Sequence, residues 1–467
     1  MTAPGPRPVS LGRSDSAGWP GASAPPGASA PPDGGLIRSM GVPTLVFFGL
    51  AYMVPMTVFT TYGIVNEVTG GFLASAYAIT LAAMLFTAGS YALLGRKIRS
   101  AGSAYAYARE GLGGGVGFLT GWAVMIDYIL LPMLNYLLIG LYLAERFPQV
   151  PAWVFSMLAL VLVTALNIIG ITVVKSANVV LVVLQVLFFL VFFVFASRAF
   201  DPHTGPLDPF LRSDFSLPAV VAGSAILCLS FLGFDAISTM AEEAKRPTRS
   251  IPIAVILTTV IGGVFFIAIS WFAHMTTPEV VTGDGADVAA LSMLAGLGGE
   301  VLTALFLAAY VTGALGSALA SQASVARILY AMGRDRVLPQ KLFGSLSERF
   351  RTPVGAILVV AVVSVSAVFA DVDFVASIVS FGALTAFSAV NISVVSVYLV
   401  QGKRRGAGAV VLYGVVPTVG FLLTVWLWTS LAPHTVLLGL GWIALGFLYL
   451  VWTTRAFRRP VPRMHLE

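Results

Sequence analysis

Two carboxylates stand where the chain is otherwise apolar. Asp235 lies in SFLGFDAIST, residues 230–239, after the uncharged run AVVAGSAILCL and with no further charge before Glu242. Asp127 lies in the stretch Val116–Ala144, which holds no other charge. A carboxylate at the centre of a membrane-spanning helix costs about 3 kcal/mol on insertion scales. Such residues mark substrate, ion or proton paths. No Lys or Arg is placed deep enough in the sequence to pair with either. An unpaired buried carboxylate must be protonated, hydrated or neutralised by a bound cation. Two kinds of chemistry are open to Asp235. It is a counter-ion for an ammonium group, with proton exchange, or a structural acid that accepts hydrogen bonds from backbone amides. Asp127 is open to the same pair of readings.

Tyr52 and Tyr62 offer rings that attract ammonium groups, although rings in spanning helices also serve as packing. Phe231 and Phe234 flank Gly233, and either is a candidate gate. These residues sit on interrupted helices. The first apolar span, MGVPTLVFFGLAYMVPMTVFTTYGIV, carries Pro55 at its middle. Proline removes a backbone donor and clashes with the preceding turn. The sixth carries Gly233 beside Asp235, and glycine weakens a helix. Matching interruptions in two halves of a chain point to the binding site of a secondary transporter, and unwound backbone at that depth must face protein or water. Two tolerated kinks are the alternative.

The elements that must position these groups are membrane helices. The 467 residues are 58% hydrophobic and 10% charged, with a mean hydropathy of +0.91. Apolar runs of about twenty residues, the length that crosses a bilayer, recur along the chain. Twelve spans are laid out at 38–65, 72–95, 116–144, 152–171, 176–198, 217–242, 251–274, 300–332, 354–370, 373–400, 409–430 and 434–454. With the N-terminus inside, 24 of the 27 Lys and Arg residues fall on the inner side, leaving Arg146, Arg198 and Arg212 outside. That asymmetry sets the orientation and places both termini in the cytoplasm of a multi-pass plasma-membrane protein. The net charge of +6 reflects these loops and does not imply nucleic acid. Residues 1–36, rich in Pro, Gly, Ala and Ser, read as a disordered cytoplasmic tail rather than a signal peptide. The core runs over 37–400, helices 11 and 12 over 401–456, and a second tail over 457–467. Cys228 is the one cysteine, and the four histidines are too scattered for a metal site. No cofactor is expected.

Three stretches carry a resemblance: GFDAISTMAEEAKRPTRSIPIAV at 233–255, ARILYAMGRDRVLP at 326–339 followed by TPV at 352–354, and AGSAYAYAREGLGGGVGFLTGW at 101–122. The chain resembles the amino acid–polyamine–organocation family over nearly all of its length after residue 36. The resemblance implies a LeuT-like fold with helices 1 and 6 broken. Its two inverted repeats of five helices would be 37–198 and 217–400. In that family a Gly-Ser-Gly-like break in span one binds the α-carboxylate of an amino acid. Those positions fall here on Pro55, Met56 and Thr57, which departs from the pattern. GLAYMVPMTVFTTYG looks most like putrescine importers, whose substrates lack a carboxylate. Some proton-coupled relatives use a lysine on span five. Gln185 stands at that place and does not titrate, which leaves Asp127 or Asp235 as the proton carrier.

The expectation is therefore a secondary transporter importing putrescine or a related polyamine with protons, through a monomer-sized pathway. A proton-coupled amino acid permease is the alternative. HExxH, nucleophile–His and cofactor-type glycine motifs are all missing, which argues against an enzyme. On the inner side, Arg327, Arg334, Asp335 and Arg336, and Glu242, Glu243, Lys245 and Arg246, are candidate gate latches or simply solvated loop charges.

Overall fold

The computed structural model describes residues 40–98, 103–169, 174–242, 244–334, 338–347, 350, 352–456 and 458. The two sequence tails, apart from Arg458, lie outside these residues. The described chain is helical, with one isolated parallel bridge between Met40 and Ala244. Nine of its helices are long and apolar enough to cross a membrane, and Leu184–Arg198 and Val354–Phe369 are shorter apolar helices. The protein is thus an all-helical, multi-pass membrane protein.

The first apolar stretch is three pieces: α1 (Val42–Met53), α2 (Thr57–Thr60) and α3 (Tyr62–Thr69). There follow α4 (Leu73–Lys97), α5 (Ser103–Leu112), α6 (Gly114–Arg146), α7 (Ala152–Ile169) and α8 (Val174–Arg198). The sixth stretch is α9 (Leu217–Leu227), a 3-10 turn Cys228–Phe231, a break, and a second 3-10 segment Ala236–Glu242. Then come α10 (Pro247–Thr276), a 3-10 segment Gly283–Val288, α11 (Ala289–Arg334) and the short α12 (Gln340–Phe343). The chain closes with α13 (Val354–Ser364), α14 (Val372–Val395), α15 (Ala407–Val410), α16 (Val416–Thr429) and α17 (Pro433–Thr453). Proline opens α1, α9, α10, α16 and α17. There its missing N–H is one the first turn leaves unpaired in any case.

Two features differ from the sequence layout. The eighth span starts earlier, at Ala289, and bends at Gly299, whose backbone (φ 59°, ψ −153°) is not helical. In the sequence Glu300 interrupts the apolar run and the uncharged stretch starts after it, whereas in the structure the helix continues through Glu300 and the bend falls on the glycine before it. In addition, residues 103–112 form α5 between the second and third spans, with Tyr107 and Ala108 buried.

The part of the first stretch after its break is held by rings. Phe59 of α2 sits 5.3 Å from Phe188 and 5.4 Å from Phe192 of α8, and 5.5 Å from Phe306 of α11. The Tyr142 hydroxyl donates to the Phe59 carbonyl at 3.1 Å. A one-turn helix has too few internal bonds to persist alone, so these contacts hold it. Beyond α3, Arg212 stacks over Phe72 at 4.9 Å and donates to the Gly70 carbonyl. Its hydrogen bonds also hold the Asp214 carboxyl below the usual carboxylate range. The far helices α16 and α17 present Leu422, Leu437, Leu448 and Trp452 outward, as helices facing hydrocarbon do.

Candidate functional site

The break in the first stretch follows from two residues. Pro55 cannot donate to the preceding turn, and α1 stops at Met53. Val54 then takes a left-handed conformation, φ 45°, which is rare for a β-branched side chain and marks local strain. The freed groups are re-satisfied locally. The Thr57 amide donates to the Val54 carbonyl at 2.8 Å, and its hydroxyl donates to the same oxygen at 2.9 Å. The Phe59 amide donates to Met56 at 3.0 Å.

The break in the sixth stretch is centred on Gly233, φ +129°, a conformation open mainly to glycine. A Cβ there would lie 2.9 Å from the Met53 nitrogen, 3.0 Å from the Gly49 oxygen and 3.0 Å from the Tyr52 ring. Gly233 therefore lets the two interrupted stretches touch. Asp235 caps the turn: its Oδ1 accepts from the Gly233 amide at 3.0 Å, and the amides of Asp235 and Ala236 also act on the carboxylate. The Ser238 hydroxyl donates to the Asp235 carbonyl at 2.6 Å. The two stretches are further joined by a hydroxyl chain, with Tyr77 3.3 Å from Thr61 and 3.1 Å from Ser230.

Asp127 projects from α6 into the same region. It is 5% exposed, and its Oδ1 has no hydrogen-bond partner among the described residues. It stands within electrostatic reach of Asp235. Tyr52 and Tyr128 each stand within reach of both acids. Gly382 of α14 packs on this face of α6, against the Ala123 carbonyl. Asp235 keeps partial access although Gly233, Phe234, Ala236 and Ile237 around it are buried. The described ion pairs, Arg146–Glu300 and Arg212–Asp214, leave both acids without a basic partner.

The structure thus brings together Tyr52, Asp127, Gly233 and Asp235. It gives other candidates different surroundings. Met56 is wholly buried, and the Thr57 hydroxyl is committed to its own turn. Phe231 packs edge-on to Phe266 at 5.5 Å. Phe234 packs against Tyr91 at 5.6 Å and Phe387 at 5.3 Å. Both rings are fully buried. Tyr62 is buried at the start of α3, about two turns beyond Pro55. Gln185 packs near Gly313 of α11. Tyr128 joins this group through the fold, and adjacency to Asp127 is its one signal in the sequence. Among the charges that the sequence assigns to the inner side, Glu243, Asp335 and Arg336 lie outside the described residues, as do the side chains of Glu242, Arg327 and Arg334. The Lys245 amide donates to the Met40 carbonyl at 3.0 Å. No group of three or more metal-ligating side chains occurs among the described residues.

Comparison with known proteins agrees with this architecture. A family model described as amino acid permease matches residues 45–452. The chain is 37% identical over 435 residues to the low-affinity putrescine importer PlaP of Escherichia coli (strain K12), covering 92% of this chain and 96% of that protein. It is 30% identical over 384 residues to the vacuolar cationic amino acid transporter 4 of Arabidopsis thaliana, covering 77% and 63% respectively. It is 26% identical over 440 residues to the methylthioribose transporter of Bacillus subtilis (strain 168), covering 88% and 92%.

Proposed function

The chain belongs to the amino acid permease family and is a membrane transporter rather than an enzyme; from that premise we propose that it imports a small organic cation of the polyamine class, with putrescine as the reference substrate. The observation that carries this reading is the pairing of two carboxylates beside two broken helices, with no basic side chain to neutralise them among the described residues. Such a site is complementary to ammonium groups and repels anions.

The first break argues the same way. A substrate carboxylate would need backbone amides there. Pro55 has none, and the Thr57 amide is already used by Val54. Similarity to a putrescine importer over 92% of the chain adds support. The family as a whole keeps an amino acid substrate as the second reading.

The finer architecture belongs to this proposal. We take the chain to have twelve spans in a LeuT-like arrangement of two inverted repeats, at the plasma membrane with both termini cytoplasmic. Protons are the coupling ion in this reading, carried at Asp127 or Asp235, since Gln185 does not titrate. Uptake into proteoliposomes tests the substrate class. Labelled putrescine should accumulate, and diamines should compete for it better than neutral amino acids. Good transport of leucine or alanine, with no competition by diamines, would replace this reading with the amino acid one.

A further inference from the structure

Asp127 and Asp235 share one site but differ in how they are satisfied. Asp235 accepts backbone amides within its own turn. Asp127 Oδ1 accepts nothing from the described protein, although the residue is 5% exposed. A buried carboxylate oxygen left without a donor costs several kcal/mol, and a partner that brings both charge and N–H groups removes that cost. An ammonium brings three donors. A single positive charge would leave one of the two negative charges uncompensated.

Resting on the amine-import reading, we infer that the site is a two-point clamp for α,ω-diamines, in which Asp235 takes one terminal ammonium and Asp127 takes the other. The aliphatic chain then runs past Tyr52 and Tyr128, whose rings contribute attraction to the cations and an apolar wall for the methylenes. This assigns Asp127 the selectivity of the site. A monoamine leaves Asp127 without a donor. A neutral amino acid that anchors its ammonium at Asp235 brings a carboxylate toward Asp127, and like charges in such a site cost several kcal/mol. A site built around a buried polar group rejects a ligand that cannot pair with it.

The test is a binding series on the purified full-length transporter, using α,ω-diamines of increasing chain length and the matched n-alkylamines. For the parent protein, diamine affinity should peak at one chain length and exceed that of the matched monoamine by at least tenfold, about 1.4 kcal/mol. Asp127→Asn should flatten the length profile and reduce the diamine-over-monoamine ratio about tenfold. An unchanged ratio and an unchanged peak in that variant would overturn the clamp. If Asp127→Asn does not fold, Asp127→Glu decides. Its extra methylene should move the peak toward a shorter diamine, and an unmoved peak counts against the inference. A parent protein that binds no amine refutes the amine-import reading itself. A parent that binds amines with a diamine preference independent of Asp127 refutes only the clamp.

Discussion

Trp122 of α6 and Trp442 of α17 exchange hydrogen bonds: Trp122 Nε1 donates to the Trp442 carbonyl at 3.0 Å, and Trp442 Nε1 donates to the Trp122 carbonyl at 2.9 Å. Their rings stack at 5.0 Å and 25°. Gly446 makes the approach feasible, because a Cβ there would overlap the Trp122 indole. Trp122 precedes Asp127 by little more than one turn, so this reciprocal pair fixes the depth and rotation of the helix that carries the acid.

The pair is measurable. Interhelical hydrogen bonds in membranes contribute about 0.6 kcal/mol on average and up to about 1.7. Trp122→Phe and Trp442→Phe should each lower the melting temperature of the detergent-purified protein. Each substitution removes one indole-to-carbonyl bond and leaves the carbonyl that accepts the other, so the hydrogen-bond losses should add, and a double-mutant cycle should show only the ring-stacking coupling, about 0.5 kcal/mol. A coupling well above that would mean that the two bonds form and break together.

Gly233→Ala should abolish uptake while leaving the protein inserted. The added Cβ meets backbone of α1 at 2.9 and 3.0 Å, and the φ of +129° is strained for alanine. The two interrupted stretches must then separate, which moves Asp235 away from Tyr52. Surface expression with wild-type transport rates would show that this close approach is dispensable.

Asp235→Asn keeps the oxygen that accepts from the Gly233 amide and removes the charge. The turn should therefore survive, and putrescine binding should weaken at least tenfold, about 1.4 kcal/mol. Binding should be measured directly, because uptake also depends on the steps that follow binding. Parent-like affinity in a monodisperse variant would assign Asp235 to structure alone.

Topology is tested by labelling. Cys228 is buried, and a Cys228→Ser background removes it. Single cysteines at the exposed positions Gly70 and Ser213 should react with impermeant thiol reagents on intact cells. Cysteines at Gly402 and Arg405, exposed on the opposite side of the charge asymmetry, should react only after permeabilisation. The reverse pattern would invert the proposed orientation.

Much of this architecture is local and therefore legible in the sequence. Apolar length determines which segments enter hydrocarbon, because each backbone polar group there must be paired within its own helix. Pro55 and Gly233 mark the interruptions through a missing N–H and a missing Cβ, both properties of single residues. Asp127 and Asp235 stand out because an isolated charge in an apolar run is costly wherever the helix packs. Which of these groups meet is a different matter. Asp127 and Asp235 are more than a hundred residues apart, and no periodicity reports that α6 and the broken sixth stretch converge. The tertiary structure alone joins Tyr52 and Tyr128 to both acids and turns Phe231 and Phe234 into neighbouring ring clusters. It also gives Asp235 its backbone donors while leaving Asp127 Oδ1 without one. The reciprocal indole bonds of Trp122 and Trp442 are likewise beyond the sequence, because their carbonyl partners have no side-chain identity to read. Local chemistry determines where the chain can break and where a charge is costly; helix packing decides which charges share a site.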